Sequence, residues 1–101
     1  SRCFVYEQAG AIVGSLVYRS VAGEAELLRV ATAPATRRSG VATALMQHMI
    51  AACAGEPITL EVRRSNGAAI ALYERHGFTT IATRRAYYGD GEDAVIMQRR
   101  A

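Results

Sequence analysis

The chain has no lysine; its twelve Lys/Arg-type cations are all arginine, set against nine acids and two histidines. A phosphate loop ending in Gly-Lys-Ser or Gly-Lys-Thr is thereby excluded, and no Gly-x-Gly-x-x-Gly stretch offers a dinucleotide turn. Cysteine is nearly absent. Cys3 and Cys53 have no motif spacing, and two ligands do not complete a structural zinc site, so both are expected as buried free thiols in a reducing compartment, without metal. No apolar run approaches the length that spans a membrane, and Ser1-Arg2-Cys3 leads straight into a strand pattern rather than a signal peptide. The expectation is a cytoplasmic protein with no membrane partner. A net charge of +3 without dense basic runs is too dilute for a dedicated nucleic-acid binder, so no direct nucleic-acid contact is expected, yet it suits an anionic small ligand. Proline occurs twice, at Pro34 and Pro57, each where an element should stop.

What remains is a 101-residue chain, half of it apolar, large enough for one core and read as a single domain over 1–101. Its organising stretch runs from Val30 to Ile50 as VATAPATRRSGVATALMQHMI. An extended run ends near Thr32, Pro34 breaks it, and a polar loop carries Arg37, Arg38, Ser39 and Gly40. Apolar residues then recur at helical spacing, with Val41, Leu45, Met49 and Ala52 widened by Ala42, Met46 and Cys53. A strand that feeds a glycine-containing loop into a helix exposes unpaired N–H groups at the positive end of the helix dipole, where anions bind. The spacing Arg37-x-x-Gly40-x-Ala42 fits such a site. Gly40 lets the backbone come close to a ligand, Ala42 keeps the first turn uncrowded, and the arginines flank the charge. Taken alone, the same residues also fit an ordinary helix start with two solvated arginines.

Upstream, residues 3–8, 11–21 and 24–32 read as strands joined by tight turns at Ala9-Gly10 and Ala22-Gly23, an antiparallel meander. Gly14 marks a bulge or a close backbone approach. Downstream, residues 58–63 alternate, placing Ile58, Leu60 and Val62 on one face and Thr59, Glu61 and Arg63 on the other. Ser65-Asn66 offers a cap for a short helix over 67–76, and Gly77 suits the left-handed position that ends one. Strands over 78–88 and 93–99 follow, joined as a hairpin by Gly89-Asp90-Gly91-Glu92. The strands on either side of the first helix should pair in parallel through a right-handed crossover. The predicted fold class is α/β in its α+β form. Its order is β-β-β-α-β-α-β-β, a mixed, largely antiparallel sheet with a central parallel strand pair and two helices. On position alone Glu61 reads as a solvated glutamate paired with Arg29 or Arg63, and Tyr73 as a core tyrosine. Arg84, Arg85, Arg99 and Arg100 read as a solvated basic rim.

Three further motifs stand in order after the glycine loop. They are Leu60-Glu61-Val62-Arg63, then Asn66 with Leu72-Tyr73-Glu74 and Gly77-Phe78, then Arg84-Arg85-x-Tyr87-Tyr88 with the closing run Glu92 to Met97. With these, nearly the whole chain resembles the GCN5-related N-acetyltransferase (GNAT) superfamily. Within it the sequence is similar to the RimI type, which acetylates the amino-terminal alanine of a ribosomal protein. The resemblance implies a GNAT-like fold and acetyl-CoA as cofactor, lying in a cleft between the strands that hold Val30 and Ile58. The pantetheine arm would pair with the backbone of Val30, Ala31 and Thr32 in the manner of an added strand. The pyrophosphate would take N–H groups from Arg38, Ser39, Gly40, Val41, Ala42 and Thr43, beside Arg37. Asn66 and Tyr73 would also touch the cofactor. The resemblance further implies Glu61 as general base, Tyr73 as general acid, and Tyr87 and Tyr88 flanking the acceptor peptide. As neighbours on a strand, those two tyrosines should face opposite ways. The acceptor amine would attack directly in a ternary complex, with no cysteine nucleophile.

The superfamily carries an amino-terminal portion ahead of the segment near Cys3 that this sequence does not contain. The resemblance implies that this portion forms one wall of the acceptor slot and covers part of the sheet. An uncovered face leads to the expectation of a homodimer. The leading expectation for function is acetylation of a protein N-terminal amine. The alternatives are the same chemistry on a small-molecule or lysine amine, and a CoA-binding module without activity.

Overall fold

The computed structural model describes residues 1–34 and 40–101. Eight elements follow the predicted order: β1 (Arg2–Gln8), β2 (Ala11–Val21), β3 (Glu24–Thr32), α1 (Val41–Ala52), β4 (Ile58–Arg63), α2 (Gly67–Arg75), β5 (Thr79–Arg84) and β6 (Ala94–Arg99). The six strands form one sheet in the order β1-β2-β3-β4-β6-β5. Every neighbouring pair is antiparallel except β3 and β4, which run parallel.

The two meander turns take the form the sequence requires. Ala9 and Gly10 have φ of 52° and 79°, and Ala22 and Gly23 have 53° and 81°. Two successive positive φ values make the turn whose twist matches that of the strands it joins. The glycine tolerates this at no steric cost, while the alanine is held by the hairpin.

The core lies on one face of the sheet. Leu16 and Tyr18 of β2, Ala25 and Leu27 of β3, Ile58, Leu60 and Val62 of β4, and Met97 of β6 all point to that face and are buried. Helix α1 packs Val41, Leu45, Met46 and Met49 into the same cluster, and Tyr73 of α2 with Phe78 closes it at the other end. Gly14, on the same face, settles the choice its sequence position left open. A Cβ there would stand 2.5 Å from Val41 Cγ1 and 3.1 Å from Leu45 Cδ1, so the missing side chain is what lets α1 sit down on β2. The bulge itself falls one residue earlier, at Val13. Neither described helix covers the opposite face, where Val5 is half exposed and Glu61 stands.

The last hairpin differs from its predicted extent. β5 stops at Arg84 and β6 begins at Ala94, so Tyr87 and Tyr88 lie in the connection and not on a strand. Ala86 adopts φ 49°, which no strand accommodates, and its N–H is taken by the Asp93 carboxylate at 2.9 Å. Tyr88 N–H bonds the Glu92 carbonyl and Gly91 N–H bonds the Tyr88 carbonyl. Side-chain and turn hydrogen bonds thus replace the ladder that the strand-favouring tyrosines suggest.

Candidate active site

Parallel pairing between β3 and β4 is limited to Ala25 with Ile58 and Glu26 with Thr59. Immediately beyond, the β2–β3 register skips Leu28, since Val17 opposes Arg29 and Tyr18 opposes Leu27. A bulge bends its strand and breaks the ladder locally. β3 keeps its partner β2 as far as Thr32, β4 keeps β6 as far as Arg63, and the facing edges of the two parallel strands part. The sheet therefore has an opening at the carboxyl ends of its parallel strands, the usual seat of a ligand in such folds. Val30, Ala31 and Thr32, all half-buried, form its β3 side.

Helix α1 starts at the mouth of this opening, because Val41 rests on Gly14 and Gly14 opposes Thr32 across the β2–β3 ladder. Gly40 precedes it with φ 86°, a left-handed conformation, and no side chain caps the helix. The first turn carries no acid. Ala44 N–H reaches back to the Gly40 carbonyl at 3.0 Å, so the N–H groups of Val41, Ala42 and Thr43 are the ones the helix itself leaves open. Such an end carries partial positive charge and suits a phosphate. Arg37, Arg38 and Ser39 lie outside the described residues.

Helix α2 presents Tyr73 by a chain of local bonds. Asn66 caps its start, its side-chain oxygen accepting from Ala69 N–H at 3.2 Å. At the other end Gly77 N–H bonds the Glu74 carbonyl and Phe78 N–H bonds the Tyr73 carbonyl, with Gly77 at φ 86°. This double bond with a left-handed glycine is a Schellman ending, and the hydrophobic contact that accompanies it is Tyr73 against Phe78, ring centroids 5.9 Å apart. Tyr73 is only 7 % exposed, and burial raises the pKa of its phenol. It is thus a core tyrosine, as its position alone suggests, and a group that keeps its proton.

Glu61 stands on the other face of β4. Its partner is not Arg29 or Arg63 but Arg84 at the end of β5, 3.8 Å away, and the Tyr87 phenol feels its charge. The Glu61 carboxylate is the largest cause of a raised Tyr87 pKa, since its negative charge disfavours the phenolate. Tyr87 and Tyr88 do not face opposite ways. They meet edge to face, with centroids 5.2 Å apart and planes at 83°. The Arg84 guanidinium lies 5.4 Å from the Tyr87 ring centre, so Arg84, exposed as a rim residue should be, also borders the site. Arg99, also placed on that rim, instead donates from Nε to the His76 carbonyl.

Glu61 and Tyr73 therefore flank β4 from opposite sides. Two groups separated by an intact sheet cannot serve one reaction; beside an opening in the sheet they can. Sequence reasoning gave Arg63, Asp90 and Glu92 strand, turn and motif positions but no site role, yet they hold the loop that carries the tyrosines. The run from Glu92 to Met97 is part of a recognisable motif, but nothing in a linear pattern tells which arginine its acids meet.

The profile of the Acetyltransferase (GNAT) family matches residues 1–78. The [Ribosomal protein bS18]-alanine N-acetyltransferase of Escherichia coli strain K12 is 41% identical over 100 residues, spanning 93% of this chain and 68% of that protein. An N-alpha-acetyltransferase of Sulfurisphaera tokodaii is 34% identical over 110 residues, 93% of this chain and 66% of that protein. Among solved structures, the ribosomal-protein-S18-alanine N-acetyltransferase from Escherichia coli superposes with TM-score 0.90 at 39% identity, covering 97% of this chain and 67% of that one. Chaetomium thermophilum Naa20, solved with a bisubstrate analogue, superposes with TM-score 0.84 at 28% identity, covering 95% and 64%. The family profile spanning most of the chain, together with the fold and the opened parallel pair, establishes that this protein belongs to the GNAT family of acetyltransferases.

Proposed function

We propose that the chain is an acetyl-CoA-dependent N-acetyltransferase acting on the α-amine of a protein N-terminus, of the ribosomal-protein alanine type. The observation that carries this reading is the opening between β3 and β4, with Tyr73 on one side of β4 and Glu61 on the other. A donor bound on the helix side and an acceptor approaching from the uncovered face can meet there. The uncapped amides of Val41, Ala42 and Thr43 suit a diphosphate, and the free edge of β3 at Val30, Ala31 and Thr32 suits an extended amide-bearing arm. Arg37, Arg38, Ser39 and Gly40 complete the anion-binding turn in this reading. Asn66 contributes alongside its capping role.

Acetyl-CoA, when bound, supplies the acetyl group as a thioester. The remaining roles belong to the protein. An N-terminal ammonium with a pKa of about 8 must lose a proton before it can attack. Glu61 takes that proton, directly or through a water, with its carboxylate paired to Arg84. Tyr73, kept protonated by burial, provides the proton for the leaving sulfur. Tyr87 and Tyr88 line the acceptor side. Direct attack is favoured over an acyl-enzyme because the Cys53 thiol is buried and its pKa is pushed up by that burial, which makes it a poor nucleophile.

Mass spectrometry of peptides beginning Ala, Ser or Met, incubated with the protein and acetyl-CoA, tests the reading. An acetylated α-amine with equal thiol release is the expected result. Turnover confined to lysine or small amines would replace the acceptor class, and binding of acetyl-CoA without turnover of any amine would remove the catalytic reading.

A further inference from the structure

The stretch 85–93 has no strand partner, yet it carries both tyrosines of the acceptor side. It is tied to the junction between β4 and α2 at its end by Arg64, whose N–H donates to the Asp93 carbonyl at 3.1 Å and whose guanidinium meets the Asp93 carboxylate at 3.4 Å, and at its tip by the Arg63 side chain. Arg63 Nη1 bonds Asp90 Oδ2 at 2.8 Å and Glu92 Oε1 at 3.0 Å, and the same guanidinium lies 4.0 Å over the centre of the Tyr88 ring. Glu92 is fixed a second time by Ser65 N–H at 3.0 Å, and Asp90 by Glu92 N–H at 3.0 Å. From this geometry we infer that Arg63 is a positioning residue for acceptor binding, a latch that holds the Tyr87–Tyr88 pair against the site.

An isolated exposed ion pair contributes little, because solvent screens it and two long side chains must be ordered. Arg63 differs in three respects. One nitrogen serves two carboxylates that are already held by backbone N–H groups, so little further ordering is needed. Its flat cation covers an aromatic face, a geometry that an ammonium cannot reproduce. Its own backbone carbonyl accepts from Asn66 N–H, the residue that caps the helix carrying Tyr73, so the loop is fastened to the framework of the site. Tyr88 packs edge to face on Tyr87, whose ring lies 5.4 Å from the Arg84 guanidinium that pairs with Glu61, which carries the effect of Arg63 to the proposed base.

This inference rests on the proposed acceptor role of the tyrosines, and its test separates the two. Arg63→Gln should raise KM for an N-terminal peptide about five- to tenfold, below the roughly tenfold or more for buried charge-assisted hydrogen bonds because solvent screens this half-exposed cluster, with kcat less affected and acetyl-CoA affinity unchanged. Chymotryptic cleavage after Tyr87 and Tyr88 should quicken in the same variant. Glu92→Gln should behave alike, the double variant should be no worse than either single one, and Arg63→Lys should recover only part of the loss. Equal losses of peptide and acetyl-CoA affinity would reduce Arg63 to a general structural role and overturn the latch. If the parent chain acetylated no peptide, the functional reading would fail, and cleavage would still decide. Unaltered cleavage in Arg63→Gln overturns the latch by itself.

Discussion

Glu61 and Tyr73 are held by opposite means, and their variants should fail in opposite ways. Glu61 is on a solvent-facing surface, positioned by Arg84, so replacing it changes chemistry and hardly touches packing. Glu61→Gln should lower kcat about a hundredfold, the lower range for losing a positioned general base, with the melting midpoint nearly unchanged. A full rate in that variant would assign the base elsewhere. Tyr73 is inside the core against Phe78, and Tyr73→Phe keeps the ring while removing only the hydroxyl. Its expected effect is a loss of kcat of about a hundredfold or more, as for a general acid, with acetyl-CoA affinity retained. Tyr73→Ala should instead cost about 3–5 kcal/mol of stability, as aromatic truncation in a core does. If Tyr73→Phe were fully active, the core role would be its whole role.

At the scale of elements, α1 comes close to β2, and that approach is set by the absence of one side chain. Gly14→Ala would put Cβ 2.5 Å from Val41 Cγ1, and Val41 is the first residue of α1. The helix start must shift, at a cost of about 1–3 kcal/mol typical of overpacking. Because the open amides of the proposed diphosphate site are in that turn, acetyl-CoA affinity should fall with stability. Val41→Ala removes the clashing methyl, so the Gly14→Ala/Val41→Ala double variant should be more stable than the sum of the two losses predicts. Strict additivity would mean that the contact is relieved elsewhere. The sequence announces much at this scale. Alternation marked β4, Ala-Gly pairs marked both meander turns, and Gly77 marked the end of α2. It could not announce the last hairpin correctly, because Tyr87 and Tyr88 favour a strand locally. The contacts that override them come from Arg63 and Ser65, more than twenty residues away in the chain. Glu61 shows the same limit. Its strand and face were legible, while its pairing with Arg84 depends on where β5 ends.

For the molecule as a whole, titration of buried and partly buried groups sets the window in which the fold is most stable. Burial, reinforced by Arg75 and Arg99, lowers the pKa of His76 from 6.5. Below 6.5 the unfolded chain binds a proton that the folded chain resists, so stability is full above that value and falls with pH as the folded pKa is approached. On the alkaline side, burial raises the pKa of Cys53 from 9.0 and those of Tyr18 and Tyr73 from 10.0. There the folded state keeps protons that the unfolded chain has lost, so stability is full below 9.0 and falls as pH climbs through the raised values. Both flanks follow from the one-sided core: these groups sit in or beside the single apolar layer, where charge is poorly solvated. Denaturant midpoints measured from pH 5 to 11 should therefore plateau between about 6.5 and 9 and decline on both sides. His76→Gln should flatten the decline just below 6.5, and Tyr73→Phe should reduce the one above 10.0, each leaving the opposite flank in place. A His76→Gln curve that kept the parent's fall between pH 6.5 and 5 would move the acid flank to other groups. Asp90 and Glu92, whose pKa values are held down by Glu92 N–H, Ser65 and Arg63, would be the next to test, at still lower pH.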